Sequence, residues 1–274
     1  MLKLLKVTTS VILATSIAFS LAPLASAKSK EETQIDKQSQ KPKHDDKSQK
    51  PKPNEPTTDI EVLTVDQVLN DPRYKELNIT PEDAKLYRKI EDIKKQYPSA
   101  SIDEIIKHME PSPDTVQIQL TYDQIVAQWK NLTFTEKALA IASPAQALLV
   151  DKCRAWALSY TSQSKWGNLY GNGTRNDAFR HAMWNVLMSK YIGKANAEIW
   201  ANAHEAQTEE YFNKYTDGIS NRDHSTMDYH NNAKGRDCIF WNEVFISDST
   251  LFDRVTAKID AGEMMILLPD SYQP

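Results

Sequence analysis

The sequence predicts a mainly α-helical protein, an irregular multi-helix bundle with few or no short strands, placed after a disordered N-terminal segment. Three observations lead there. Helix start signals recur between residues 64 and 144: Thr64-x-x-Gln67, Thr80-Pro81-Glu82-Asp83, Ser101-x-x-Glu104, Thr121-x-x-Gln124, Thr133-x-x-Glu136 and Ser143-Pro144. Apolar residues follow them at three- and four-residue spacing, as in Leu86, Ile90 and Ile93, or Ile102, Ile105, Ile106 and Met109. Residues 28–59, by contrast, lack the composition of a folded core.

Residues 1–27 read as a secretory signal peptide. Lys3 and Lys6 precede an apolar run from Val7 to Leu24, and Ala25-Ser26-Ala27 supplies a small-x-small end. Thr8, Thr9, Ser10, Thr15, Ser16 and Ser20 dilute the run and Pro23 breaks it, which argues against a retained membrane anchor. No lipobox Cys follows, and no other stretch reaches the ~20 apolar residues of a membrane span. The expected mature chain is exported, either extracellular or cell-wall associated, with no transmembrane span.

Residues 28–59 carry 8 Lys and 7 acidic residues, no aromatic residue, and SQKPK twice, at 39–43 and 48–52. Such a segment cannot bury enough apolar area to offset its chain entropy, so it reads as a disordered tether. Its mixed charge suits a polyanionic cell wall, although a plain spacer is the simpler role. Residues 60–112 read as a small helical subdomain with one histidine, His108, and no evident chemistry. It is open to three roles: a targeting module, an inhibitory pro-segment or part of the core. Residues 113–274 form the main helical domain. A short strand, Val116 to Leu120, precedes its helices, and Met264 to Leu268 reads as a strand or a packed tail.

Charge narrows the partners. The chain is −4 overall; the signal peptide carries +2 and the tether +1, which leaves −7 on residues 60–274. An acidic fold without clustered Lys/Arg offers no specific nucleic-acid patch. It does not exclude phosphate chemistry through a metal, whose own charge dominates locally. Cys153 and Cys238 leave two readings, a disulfide worth about 4–5 kcal/mol by loop entropy or two buried free thiols.

All seven glycines and four of six histidines lie after residue 166. The loop Trp166 to Thr174 is expected to need positive φ at several points. Gly235 and the Asn pair before it suit a turn.

Three segments after that loop carry polar residues in patterns that need partners. In Asn176 to Asn185, the residues Asp177, Arg180, His181, Trp184 and Asn185 fall in a sector of about 140° at 100° per residue. Phe179, Met183, Val186 and Leu187 cover the other side. A helix apolar over most of its circumference is buried, so this polar stripe must be satisfied internally. In Ala195 to Phe212, His204 shares a face with Ala197, Trp200 and Ala201 and points inward, while Glu205 borders the solvated face. Position 208 is Thr, so the zinc-protease HExxH pattern is absent. In Met227 to Arg236, a helix capped by Ser225 would put Asp228, Asn231, Asn232 and Gly235 on one face. His230 would then lie about 160° away. His224 reads as a solvated loop residue.

These segments suggest an N/O ligand set of His181, His204 and Asp228, with His230 as a further candidate. Glu205 or His230 would move protons, Arg180 would orient the motif or neutralise an anion, and Asp177, Asn185, Asn231 and Asn232 would orient the ligands or assist as acid and base. Three protein ligands and an open position fit a catalytic divalent metal, zinc first. A buried polar network that fixes helix packing is the competing account.

The runs DAFRHAMWNVLM, AHE at 203–205 and MDYHNNAKGR resemble an uncharacterised bacterial domain family. Its members are exported or end toxin-like proteins, with the pattern DAxRHAxWN…AHE…MDxHNNxxG. The resemblance runs from about Leu132 to Arg236 and implies a helical domain without an established reaction. It matches Asp177, Arg180, His181, Trp184, Asn185, His204, Glu205, Asp228, His230, Asn231 and Asn232. By keeping both Asp228 and His230 it implies a non-helical start to the third segment. The order His…His-Glu…Asp is also similar to helical HD-domain phosphohydrolases, except that their second motif is His-Asp. The expected function is a secreted metal-dependent hydrolase of phosphoesters. The alternative is a secreted effector, toxin-like or cell-wall-associated binding protein whose polar cluster is structural.

Overall fold

The computed structural model describes residues 63–109, 129, 131–243 and 245–274. The expected signal peptide and tether, the strand expected at Val116–Leu120 and the helix expected after Thr121 lie outside those residues. The described chain is helical, with one two-stranded hairpin.

Local signals set most helix starts. Helix α1 (Val65–Asn70) opens on a full capping box, Thr64 with Gln67. A 3-10 helix (Pro72–Leu77) follows. Helix α2 (Lys85–Gln96) begins after the turn that Thr80 and Asp83 close by reciprocal hydrogen bonds. Helix α3 (Ile102–Met109) starts where Ser101 and Glu104 cap each other. Helix α4 (Phe134–Ala142) carries the Thr133–Glu136 box, and α5 (Pro144–Gln163) has Pro at its first position.

These first helices are part of the core. Helix α2 buries Leu86, Tyr87, Ile90 and Ile93 on one face, which packs on α5. Specific ties reinforce the contact: Trp156 Nε1 donates to the Leu77 carbonyl at 3.0 Å, and Lys152 pairs with Asp83 at 2.9 Å. Apolar residues from Val65 to Met264 form one continuous cluster.

Helix α6 (Arg175–Ile192) is the centre of the fold. Thirteen of its eighteen residues are buried, so it is covered on nearly every side. It packs against α5, α7 (Lys194–Glu205), α9 (Asn221–Arg236) and α10 (Asp248–Asp260). Between α7 and α9 lie the short α8 (Glu209–Phe212) and a hairpin of β1 (Tyr215–Thr216) and β2 (Ile219–Ser220), paired in antiparallel register.

The α6–α9 contact positions the polar residues. A Cβ on Gly235 would sit 2.3 Å from the Ala182 carbonyl oxygen and 2.6 Å from its Cα, so the backbones touch. Gly235 therefore lies inside α9 at a close crossing rather than in a turn. In the loop at 167–173 only Gly173 has positive φ, +71°, instead of several residues. Residues 263–268 form a packed tail, with Met264 and Leu268 buried. Cys153 and Cys238 are free and buried, so the thiol reading holds over the disulfide. Burial pushes both thiols up, Cys238 to about 11, which leaves them poor nucleophiles. No described helix is long and apolar enough to cross a membrane.

Candidate metal centre

The polar stripe of α6 faces α9 and the end of α7. The contacts step in register: His181 meets Asp228, and Asn185 meets Asn232 and Arg236. The two helices therefore run in the same direction, turn beside turn.

Asp177, His181 and Asp228 converge. Each can bring one ligand atom within 4.8 Å of the others, so the group can hold a metal ion. His181 Nε2 lies 3.3 Å from Asp228 Oδ1 and 3.5 Å from Asp177 Oδ1. Asp228 Oδ1 is buried and has no hydrogen-bond donor. The opposite ring nitrogen, Nδ1, lies 3.3 Å from Asn232 Oδ1. If Nδ1 carries the proton and donates it there, Nε2 presents a bare lone pair to the two carboxylates. A partner on the second nitrogen is how ligand histidines are oriented.

Asn232 is fixed in turn. Its Oδ1 accepts from Asn185 Nδ2 at 2.6 Å, and its Nδ2 donates to Glu205 Oε1 at 3.3 Å. Asn185 Nδ2 also donates to the His181 carbonyl at 3.1 Å, and its Oδ1 accepts from Arg236 at 2.9 Å. Asp177 Oδ2 accepts the Gly173 N–H at 2.8 Å, while its Oδ1 accepts from Arg180.

Three carboxylates in so small a buried space repel one another. Burial, then Asp177 and Glu205, push Asp228 up to about 9, with Arg180 opposing. Burial also raises Glu205, against His204, Asn232 and Arg180. Burial and the Arg180 charge hold His181 down near 3, so its imidazole is neutral. The centre sets two acids pushed above the usual carboxylate range, Asp228 and Glu205, beside a neutral imidazole, an arrangement that a cation would relieve.

Several expected residues fall elsewhere. His204 is held by Glu136, with Nδ1 2.9 Å from Oε1, and its ring centre is 6.5 Å from that of His181. It stands beside the Asp177–His181–Asp228 group, not in it. Burial opposes charge on His204, yet the Glu136 carboxylate raises its affinity for a proton. Glu205 is buried at 6 % exposure, not at the solvated border, because α9 covers it. Helix α9 starts at Asn221 under a Ser220 cap, so Ser225 lies within it and no break precedes His230. The helical geometry therefore overrides the non-helical start, and His230 points away, with Nε2 2.9 Å from the Glu263 carbonyl. Asn231 also leaves the centre and binds the backbone of Met265. His224 is buried in α9 beside Gly173, with Nε2 3.2 Å from the Thr216 carbonyl.

Sequence reasoning missed Glu136. Its capping-box role was visible, but one carboxylate serves both ends: Oε2 caps the Thr133 N–H and Oε1 holds His204. Gly173 stands out in the sequence only as part of a loop expected to need positive φ, although its N–H fixes a candidate ligand.

No curated protein and no solved structure matches the chain. Residues 137–263, which contain the whole centre, match the model of an uncharacterised family, described as a domain of unknown function (DUF6973).

Proposed function

We propose that this chain is an exported metal-dependent hydrolase of phosphoester bonds, with Asp177, His181 and Asp228 holding a divalent ion, zinc first. The observation that carries the reading is the buried convergence of two carboxylates and a neutral imidazole, with one carboxylate oxygen lacking any donor. Leaving such an oxygen unsatisfied costs about 1–3 kcal/mol, more if charged, and a cation relieves it. A bound ion would supply a water of lowered pKa and neutralise the acids.

The chain's own residues then divide the remaining work. Glu205 carries a raised pKa and hydrogen-bonds the amide that orients His181, so it is the candidate proton acceptor. Arg180 is half-buried beside Asp177 and offers the cation that an anionic phosphoester needs. Asn185, Asn232 and Arg236 keep the imidazole in its tautomer.

The test is metal content of purified protein, followed by phosphomonoesterase, phosphodiesterase and lipase assays with zinc or manganese. Stoichiometric metal, lost in His181→Ala and Asp228→Asn, supports the reading. No metal in the wild type, with both variants folded and unaltered in the assays, refutes it and leaves the network as a helix-packing device.

A further inference from the structure

We propose that the C-terminal strap, residues 263–268, is a positioning element for the metal centre and acts on Asp177 through Gly173. The proposal rests on the metal reading above.

Both backbone groups of Gly173 are engaged. Its carbonyl accepts from the Leu267 and Leu268 amides at 2.8 and 2.9 Å, and its N–H donates to Asp177 Oδ2 at 2.8 Å. With Oδ2 held by that N–H, Oδ1 is left facing His181. The partner of a carboxylate's second oxygen sets the direction of the first.

The strap is anchored on the helix that supplies Asp228. Asn231 is fully buried, donates to the Met265 carbonyl at 3.0 Å and accepts the Met265 N–H at 2.9 Å. His230 Nε2 adds a contact to the Glu263 carbonyl at 2.9 Å. At φ +71° any side chain in place of Gly173 would be strained. A Cβ there would also meet His224 at 3.2 Å and Leu268 at 3.3 Å.

The adjacent amides of α9 thus serve two ligands. Asn232 contacts His181 directly; Asn231 reaches Asp177 through the strap and Gly173. This also accounts for the position of His230, which braces the strap instead of joining the centre. Displacing the strap would let the Gly173 loop relax and turn Asp177 away without removing any ligand.

The experiment compares Asn231→Ala and Leu267→Pro with wild type in the full chain. Leu267→Pro deletes one strap N–H and leaves α9 untouched, so it serves if Asn231→Ala does not fold. Zinc-ion affinity is read by chelator competition and the Gly173 amide by hydrogen exchange. Faster Gly173 exchange and about a tenfold or greater loss of zinc affinity, at unchanged helical content, are expected. Asn231 as mere packing would lower thermal stability and move neither readout. Unchanged Gly173 exchange in the folded variants overturns the proposal, as does unchanged zinc affinity. A wild type that takes up neither zinc nor manganese refutes the metal reading instead. Gly173 exchange still reports the strap's hold on the loop in that case.

Discussion

Gly235→Ala tests whether the α6–α9 contact builds the centre. The added methyl would lie 2.3 Å from the Ala182 carbonyl oxygen, a backbone atom that no side-chain rotation can move. Ordinary contact needs about 3.4 Å, so the helices must part by about 1.1 Å. Carried rigidly to the next turn, that displacement stretches the Asn185–Asn232 hydrogen bond from 2.6 Å to about 3.7 Å, beyond useful range. Overpacking of this kind costs up to about 3 kcal/mol, and the better helix propensity of Ala returns about 1 kcal/mol. The net loss of about 2 kcal/mol corresponds to a Tm lower by roughly 4–8 °C for a folded unit of this size. Gly171→Ala is the control, because that site has nothing within 4 Å and no positive φ. The assay is thermal unfolding by circular dichroism, with zinc binding measured in parallel. A Gly235→Ala protein that melts with wild type, or that loses no more than Gly171→Ala, refutes the close-contact argument.

Other outcomes follow from the same contacts. The His204–Glu136 pair should stabilise the fold most between about pH 4.5 and 6.5. The raised His204 loses its contribution as pH climbs above that range, and the lowered Glu136 loses its contribution below it. Glu136→Gln should flatten this maximum in denaturation curves taken across pH, and an unchanged profile counts against the pair. Asp228→Asn should raise the Tm of chelator-treated protein at pH 8. A buried acid held up near 9 costs stability progressively as pH rises from about 4, by up to about 1.4 kcal/mol per pH unit. A lower Tm in that variant would show that the carboxylate is not frustrated. Reducing agent should leave the Tm unchanged, since Cys153 and Cys238 are free; a reductant-dependent drop would reveal a bridge.

What the sequence made legible is local. Capping boxes at Thr64, Ser101 and Thr133 stand where they were expected, because each is written within four residues. The polar stripe of α6 follows from helical geometry: Asp177 and His181 converge with Asp228, and His181 and Asn185 both reach Asn232. The same geometry already placed His230 on the wrong side of α9, against the resemblance, and it prevailed because Ser220 caps an unbroken helix. What was hidden is long-range. His204 could not be assigned without Glu136, 68 residues upstream, and Asn231 could not be separated from the centre without Met265, 34 residues downstream. The burial of Glu205 depends on α9, which the periodicity of α7 does not encode.

The electrostatics of the centre bear on why it exists at all. A network meant only to fix helix packing is best built from neutral groups, and Asn185, Asn232 and the backbone would suffice. The centre instead buries Asp177, Asp228 and Glu205 around an imidazole that stays neutral, with Arg180 as the nearest cation. One guanidinium cannot satisfy three carboxylates, and its bond to Asp177 leaves Asp228 Oδ1 without a donor. Stability alone would replace Asp228 with Asn, so the acid stands where the fold gains nothing from it. A divalent ion reverses that balance: the repulsion that raises Asp228 becomes attraction for the ion. Affinity then depends on releasing a proton held to about pH 9, and at pH 7 that release costs about 3 kcal/mol, on the order of a hundredfold. Zinc affinity should therefore rise steeply with pH in the wild type and lose that slope in Asp228→Asn.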